Sequence, residues 1–251
     1  MENDSLLLRY AADAGTFATE LLGWIPDSKQ MMVLQSPAQR VILNCSRQWG
    51  KTTVAATKVV HVAVTRPGST ALIVCENMAQ TGEFFTKIDG FLARLGIAAR
   101  GEKGKRMGRR LPNGSRIVGI AAREAAVRGY TADFVFLDEA ARIADEVIDA
   151  FAPVVAVLRG DWWMASTPRG KRGRFWEMWT YGEGPDLMKV SAPASENPRI
   201  DPAFIEGLRR DKGDFYVQQE FGCEFVESGV YLLSLESIDG LMLEVRQDGG
   251  P

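Results

Sequence analysis

The sequence contains little histidine and little cysteine, and both shortages exclude classes of chemistry. Its single histidine is His61, so the chain has almost no side chains from which to build a serine–histidine site or a histidine–metal site. The three cysteines, Cys45, Cys75 and Cys223, lie far apart and form no CxxC pair, which argues against a disulfide framework and a zinc site. A reducing compartment therefore fits best.

Signals for secretion and for the membrane are also missing. The first residues include Glu2 and Asp4 in place of a basic segment, and no apolar run approaches the roughly 20 residues that span a bilayer. An excess of basic charge is missing as well, because 30 basic side chains stand against 32 acidic ones. We therefore expect a cytosolic protein without a membrane partner, in which any site for a polyanion is local.

The chain does contain a long alternation of short apolar runs and helical segments. Its 251 residues are 46% hydrophobic, which is typical of a globular domain with a substantial core. Apolar runs rich in β-branched or aromatic residues predict five strands: Val41–Cys45, Ala71–Cys75, Arg116–Ile120, Phe134–Leu137 and Trp162–Ala165. Helical spacing predicts an amphipathic lead-in helix within Leu6–Leu22 and helices over Thr52–Val64, Ala79–Leu95 and Glu146–Leu158. This alternation predicts a doubly wound α/β domain with ligands at the carboxyl ends of its strands.

Two segments do not fit the alternation. The segment Arg100–Arg116 holds seven basic residues and one acid, and its Pro112-Asn113-Gly114 turn indicates a basic, mobile excursion. Beyond Pro193 the sequence becomes polar and helical. We therefore predict a core with a helical lead-in at 1–190, a small helical subdomain at 191–227, and a linker or tail at 228–251.

The sharpest motif is the loop Ser46-Arg47-Gln48-Trp49-Gly50-Lys51-Thr52, between a predicted strand and a predicted helix. A phosphate-binding loop needs backbone N–H groups around the phosphates, a lysine for the β and γ oxygens, and a hydroxyl for Mg²⁺. Gly50, Lys51 and Thr52 supply these at the expected places. The first glycine of the usual GxxxxGK[ST] pattern is Cys45 here, so a chance Gly-Lys-Thr at a helix start is the alternative.

Two carboxylates, Asp138 and Glu139, directly follow the apolar run Phe134–Leu137. Asp138 is suited to hold Mg²⁺, and Glu139 is suited to orient and deprotonate an attacking water. Because kinases of small molecules seldom need such a glutamate, the pair favours hydrolysis of a nucleoside triphosphate.

A third apolar run ends in Ser166-Thr167-Pro168. Such small hydroxylated residues beside a γ-phosphate can transmit a change in hydrogen bonding to neighbouring helices. A turn that caps the next helix is the alternative.

In this order the motifs resemble the ATPase part of the large terminase subunit, the DNA-packaging motor of tailed bacteriophages. The resemblance runs from about Gly23 to Phe225. It also rests on Gly23-Trp24-Ile25-Pro26, on Arg128-Gly129, and on Gln219-Glu220-Phe221 followed by Glu224-Phe225-Val226. An Arg-Gln-x-Gly-Lys-Thr loop is distinctive of that family, so the missing first glycine supports the resemblance.

The resemblance implies a P-loop NTPase fold of the RecA type with a mainly parallel sheet and a small C-terminal helical lid. It implies ATP as substrate and Mg²⁺ as cofactor, with the metal on Thr52 and Asp138. By this resemblance Gln30 would bind ATP by pairing with the adenine edge. The other residues that would bind ATP are those of the loop: Ser46, Arg47, Gln48, Trp49, Gly50, Lys51, Thr52 and Thr53. The predicted catalytic residues are Glu139, Lys51 and Arg47, and the coupling residues are Ser166, Thr167 and Pro168. For Gln30 a surface glutamine is the alternative.

The family also implies an arginine that acts on the ATP of a neighbouring ring subunit. The best local matches are Arg109 and Arg110, and the alternative is that this basic run contacts only DNA or solvent. A second basic cluster either contacts DNA phosphates or a ring neighbour, or forms a solvated face; it consists of Arg169, Lys171, Arg172 and Arg174.

The partners that the resemblance implies are double-stranded DNA, the portal ring, the small terminase subunit and further copies of the chain in a ring. It therefore predicts ATP hydrolysis that powers translocation of viral DNA into a procapsid, in the host cytoplasm. The family's RNase H-like nuclease domain is absent from the 251 residues, so we expect no nuclease activity from this chain. A helicase-like, nucleic-acid-stimulated ATPase and a nucleotide-gated assembly module with negligible turnover are the alternatives.

Overall fold

The structure is a computed structural model that describes residues 9–101, 107–123 and 129–227. Its centre is an eight-stranded sheet in the spatial order β3-β4-β5-β2-β6-β7-β1-β8. The strands are β1 Arg40–Cys45, β2 Thr70–Cys75, β3 Arg100–Gly101, β4 Met107–Arg110, β5 Arg116–Ala121, β6 Phe134–Asp138, β7 Asp161–Ser166 and β8 Leu187–Ala192. The helices are α1 Ala14–Glu20, α2 Ser28–Gln35, α3 Lys51–Thr65, α4 Met78–Arg94, α5 Asp145–Asp149, α6 Phe151–Ala156, α7 Gly173–Tyr181, α8 Pro202–Lys212 and α9 Asp214–Glu220.

The sheet is mainly parallel, as the sequence predicts. Strands β5, β2, β6, β7, β1 and β8 run parallel to one another, and β3 and β4 add an antiparallel hairpin next to β5. All five predicted strands are present within one residue of their predicted bounds. Their successive side chains alternate between the faces of the sheet: Val41 and Leu43 enter one core cluster and Ile42 the other. Both faces are therefore covered, and the carboxyl edge is left for the site.

The helices divide between these two faces. Helices α1 to α4 contribute to the cluster that contains Phe17, Val54 and Phe84, whereas α5 to α7 contribute to the cluster that contains Val147 and Phe175. Helices α8 and α9 pack on each other around a third, smaller cluster. Among the described residues no helix combines the length and the apolar character needed to cross a membrane.

Three elements differ from their predictions. The helix predicted over Glu146–Leu158 is two short helices, because Pro153 has no N–H to donate to the carbonyl of Asp149. In the basic excursion, Met107–Arg110 is a strand paired with β5, so the expectation of a mobile segment was wrong for these residues. The lead-in helix is interrupted at Asp13: residues 9–12 are helical, and α1 then starts afresh with N–H groups that donate to the Asp13 carboxylate at 2.8 and 2.9 Å.

Strand β8 is absent from the predictions, and it runs across the predicted domain boundary at 190. Its residues Leu187–Ala192 mix polar and apolar side chains, and most of them are only half-buried at the sheet edge. The division into a core and a helical subdomain stays a prediction. The predicted tail at 228–251, the start of the lead-in helix and Arg128 lie outside the described residues.

We expect the single histidine to titrate near pH 4 and to lower the stability of the folded chain in acid. His61 on α3 is buried, its Nε2 donates to the Tyr10 carbonyl at 2.7 Å, and its ring lies edge-on to Phe17. Burial, with help from the nearby Lys58 ammonium, lowers its pKa from 6.5 to about 4. As the pH falls from 6.5 towards 4, the unfolded chain gains this proton before the folded chain does, so stability is lost across that window.

An NMR titration of the one imidazole measures this pKa directly. His61→Gln keeps an Nε2 donor for Tyr10, and urea unfolding of this variant should lose about 2 kcal/mol less stability than the wild type between about pH 6.5 and pH 5. An imidazole that titrates near 6.5 would contradict the prediction.

Candidate nucleotide site

The predicted phosphate loop, the paired carboxylates and the Ser-Thr-Pro motif follow three neighbouring strands. They come after β1, β6 and β7, which lie side by side in the order β6-β7-β1. Because these strands are parallel, their carboxyl ends meet at one edge of the sheet. The structure therefore brings the three motifs together.

The loop after β1 gets its shape from two left-handed residues. Gln48 has φ 64° and Gly50 has φ 100°, and a Cβ on Gly50 would lie 3.0 Å from Gln30 Nε2. Cys45 is the buried last residue of β1, so the position where the usual pattern has glycine belongs to the strand here. Helix α3 starts at Lys51 without a side-chain cap, which leaves its first N–H groups available at the positive end of the helix.

Three polar side chains hold this loop from outside. Gln30 is buried, donates from Nε2 to the Trp49 carbonyl at 2.8 Å, and accepts the Asp27 N–H at 2.9 Å. Arg199 donates to the same Trp49 carbonyl at 3.1 Å, and Asn197 donates to the Gln48 carbonyl at 3.2 Å. The alternative of a surface glutamine was therefore wrong for Gln30.

The adenine contact of Gln30 stays a prediction. Each amide end of Gln30 retains one hydrogen-bonding position beyond the bond that it makes to the protein. None of the sequence motifs indicates Asn197 or Arg199. The Asn-Pro-Arg turn after β8 is their only signal, and it marks a turn without indicating that the turn contacts the phosphate loop.

Glu139 lies at the centre of the site in an unusual backbone conformation. Its φ is 53°, a left-handed value that is uncommon outside glycine. One carboxylate oxygen forms an ion pair with the Lys51 ammonium, and the other accepts the Ser166 hydroxyl at 3.3 Å. Burial alone would raise the pKa of Glu139, but Lys51, and after it Arg142, hold the pKa below its usual value. Glu139 is therefore ionised at neutral pH and can accept a proton.

Asp138 is buried at the end of β6, next to Glu139. Burial raises the pKa of Asp138 to about 6, although the Lys51 ammonium opposes the shift. A bound cation favours the ionised carboxylate, so a metal at this position would relieve the cost of burying the charge.

The donor set fits Mg²⁺. Among the described residues no group of three or more His, Cys, Asp or Glu side chains could form a metal cage of its own. Mg²⁺ is usually held by one or two carboxylates together with substrate phosphates and water, and Asp138 and the Thr52 hydroxyl at the start of α3 match that pattern.

The Ser-Thr-Pro motif ends β7 beside Glu139. Ser166 donates to the Glu139 carboxylate, and Thr167 Oγ1 is a buried polar atom without a partner among the described residues, as is Ser46 Oγ in the phosphate loop. The next helix, α7, starts only at Gly173, and the Asp145 carboxylate accepts the Arg174 N–H in its first turn. The alternative of a helix cap was therefore wrong.

The three arginines with a predicted catalytic role lie in two different parts of the fold. Arg47 is in the phosphate loop, where its Nε donates to Glu220 at 2.6 Å. Arg109 and Arg110 are on β4, and the four strands β5, β2, β6 and β7 separate them from β1. Arg109 pairs with Asp89 at 2.6 Å and lies over the Phe85 ring. Neither residue of β4 is therefore near the phosphate loop of its own chain.

The second basic cluster borders the site. Arg169 and Arg172 line a cavity of about 570 Å³ together with Arg142. Arg174 instead pairs with Asp149 at 2.8 Å and with Glu177 at 2.7 Å, so acidic neighbours already balance its charge. The fourth member, Lys171, lies 3.7 Å from Glu227.

Comparison with known proteins agrees with this geometry. The family "Terminase large subunit, T4likevirus-type, N-terminal" matches residues 42–238, which is more than half of the chain. The large terminase subunit of Escherichia phage T5 is 30% identical over 225 residues, which cover 84% of this chain and 50% of that protein. The large terminase subunit of Thermus virus P23-45 is 30% identical over 244 residues, with 82% of this chain and 50% of that protein covered. The chain thus spans about half the length of these curated relatives.

Solved structures of large terminases are also similar to this chain. The ATPase domain of the Thermus phage P74-26 large terminase superposes with a TM-score of 0.74 at 26% identity, over 85% of this chain and 99% of that one. The large terminase of a thermophilic bacteriophage, in complex with ADP, superposes with a TM-score of 0.67 at 15% identity, over 80% of this chain and 54% of that one, a likeness of fold. By family match and by identity over most of its length, the chain belongs to the terminase large subunit family.

Proposed function

We propose that this chain is the ATPase part of a large terminase subunit, which hydrolyses ATP with Mg²⁺ to move double-stranded viral DNA into a procapsid. The observation that carries the proposal is the meeting of Lys51, Glu139 and Ser166 at the carboxyl ends of three neighbouring strands. The almost complete coverage of a solved large terminase ATPase domain supports it.

The residues of the site divide the chemistry between them. The first N–H groups of α3 and the Lys51 ammonium would bind the β and γ phosphates. A phosphate that attracts Lys51 competes with its ion pair to Glu139, so nucleotide binding releases the carboxylate to face water. Ionised Glu139 then accepts the proton of the attacking water. Mg²⁺ held by Asp138 and Thr52 would neutralise charge that develops on the phosphate oxygens.

The proposal includes the partners of a packaging motor: DNA, a portal ring, the small terminase subunit and further copies of this chain in a ring, in the host cytoplasm. Because Arg109 and Arg110 lie four strands away from their own loop, either would act on a neighbour's nucleotide, and Arg109 would first have to leave Asp89. Because that arginine would come from another copy, the isolated chain should hydrolyse ATP slowly.

Phosphate release from ATP by the purified chain tests the proposal. We expect turnover that requires Mg²⁺, stops with EDTA, and rises more than linearly with protein concentration as copies associate. Turnover that is negligible at every concentration, with and without DNA, would contradict the proposal and favour a nucleotide-gated assembly module.

A further inference from the structure

Glu220, the last residue of helix α9, places a buried carboxylate between two arginines of the nucleotide site. The residue is 4% exposed. Its Oε2 accepts Arg47 Nε at 2.6 Å, and its Oε1 lies 3.5 Å from the Arg142 guanidinium. The Arg47 backbone N–H also donates to the Glu220 carbonyl at 3.0 Å. One residue of helix α9 therefore fixes both the backbone and the side chain of Arg47 in the phosphate loop.

The second arginine connects Glu220 to the carboxylate at the centre of the site. Arg142 follows Glu139 by one short turn, and its Nε lies 3.6 Å from Glu139 Oε2. Glu139 in turn pairs with Lys51. Charges of alternating sign thus form a continuous chain, which runs through Arg47, Glu220, Arg142, Glu139 and Lys51.

Because Glu220 is buried, its charge depends on both neighbouring arginines. A buried carboxylate is tolerated only when cations compensate it, and here Arg47 and Arg142 provide that compensation. If the charge of Glu220 is removed, Arg142 keeps only Glu139 as its acidic partner among the described contacts, and the Glu139 carboxylate is drawn towards it. Arg47 loses its restraint at the same time, since its side chain is 53% exposed.

We propose that Glu220 is a positioning residue for ATP hydrolysis. It holds Arg47 over the phosphate loop and, by sharing Arg142, orients the Glu139 carboxylate. The inference rests on the proposed function, because it assigns proton acceptance to Glu139. It predicts that the Glu220 side chain affects the chemical step far more than the binding of nucleotide. Glu220→Gln keeps the carbonyl that accepts the Arg47 N–H of the phosphate loop, and Lys51 and the first turn of α3 are not contacts of Glu220.

The test compares Glu220→Gln with Glu224→Gln, in the full chain. Glu224 is an exposed carboxylate four residues further along the chain, after the end of α9, so the control makes the same chemical change outside the network. We expect kcat of Glu220→Gln to fall by about 10-fold, with KM and the Kd of a fluorescent ATP analogue within about 2-fold of the wild type. Glu224→Gln should match the wild type in all three values.

Two further variants separate positioning from folding. Arg142→Lys keeps the charge but loses the planar fork that reaches two carboxylates, so it should lower kcat to a similar degree. The double variant should be no slower than the more affected single variant, because both changes break the same chain. If Glu220→Gln does not fold, as judged by its thermal melt, the test is made with Arg142→Lys, whose kcat and Kd are measured in the same way.

The outcomes distinguish the inference from the function on which it rests. A wild-type chain without ATPase activity overturns the proposed function. An active wild type with kcat of Glu220→Gln equal to that of Glu224→Gln overturns the inference. Losses of kcat and nucleotide affinity that follow a lower melting temperature, and that add up in the double variant, would show a merely structural role and also overturn it.

Discussion

ATP hydrolysis by the Glu139→Gln variant is expected to fall by about 10²–10⁴-fold, the usual contribution of a general base. Glutamine has the same shape and keeps an oxygen that can accept the Ser166 hydroxyl, but its amide cannot take a proton from water. Glu139 is suited to this task because Lys51 and Arg142 keep its pKa below the usual value in spite of its burial. The loss should therefore appear in kcat, at every Mg²⁺ concentration.

Binding of ATP should survive the same change. Lys51 pairs with Glu139 in the structure, and this ion pair must be broken before Lys51 can reach a phosphate. Glutamine removes the competing charge, so the affinity for an ATP analogue should be unchanged or higher. Glu146→Gln, an exposed carboxylate on α5, is the matched control and should hydrolyse ATP like the wild type. A Glu139→Gln variant that keeps more than about a tenth of wild-type turnover would place the base elsewhere.

The sequence is sufficient for the parts of the fold that one local pattern defines. The five predicted strands are short and almost wholly apolar because helices cover both of their faces, and such runs are visible without any tertiary information. The three motifs are found together because each directly follows one of these strands. Helix α3 likewise begins one residue before its predicted start.

Features that depend on neighbours in space are not predictable in this way. Strand β8 lacks an apolar run because it pairs with β1 on one side only and stays half-exposed. The sequence Met107–Arg110 is typical of a basic loop, but it forms a strand because β5 supplies its hydrogen-bonding partners. Arg109 looks like a free cation in the sequence, but Asp89, twenty residues away on α4, neutralises it. For β8 and Arg109 the deciding partner lies outside the local pattern, whereas for Met107–Arg110 it is only six to twelve residues away and the basic side chains obscure the strand.

The same limit applies to the site. The motif identifies Arg47 as a residue of the phosphate loop, but its contact with Glu220 joins residues that are 173 positions apart. Asn197 and Arg199 support the loop over a similar distance. The chemistry of the site is thus encoded locally, whereas several of the contacts that orient it come from helix α9, the turn after β8 and Gln30 on α2.

Lys51→Ala is expected to lower turnover by about 10²–10³-fold and to weaken nucleotide binding, because it removes the cation that would face the β and γ phosphates. It should also destabilise the fold by about 1–3 kcal/mol at about pH 8, since the Glu139 carboxylate loses its main partner. Lys171→Ala is the control: the one acidic partner of Lys171 within the described ranges is the exposed Glu227, so its loss should leave both activity and stability near wild type.

The pH dependence of that destabilisation identifies its cause. Lys51 lowers the pKa of both Asp138 and Glu139, so both pKa values rise when it is removed. A carboxyl whose pKa is higher in the folded than in the unfolded state costs stability as the pH rises between the two values. The deficit of Lys51→Ala, measured by urea unfolding in EDTA, should therefore be larger at about pH 8 than at about pH 5. Adding Glu139→Gln to Lys51→Ala removes one of the two uncompensated charges and should recover most of the lost stability. An equal deficit at both pH values, or no recovery in the double variant, would show that Lys51 supports the fold through packing and not through its charge.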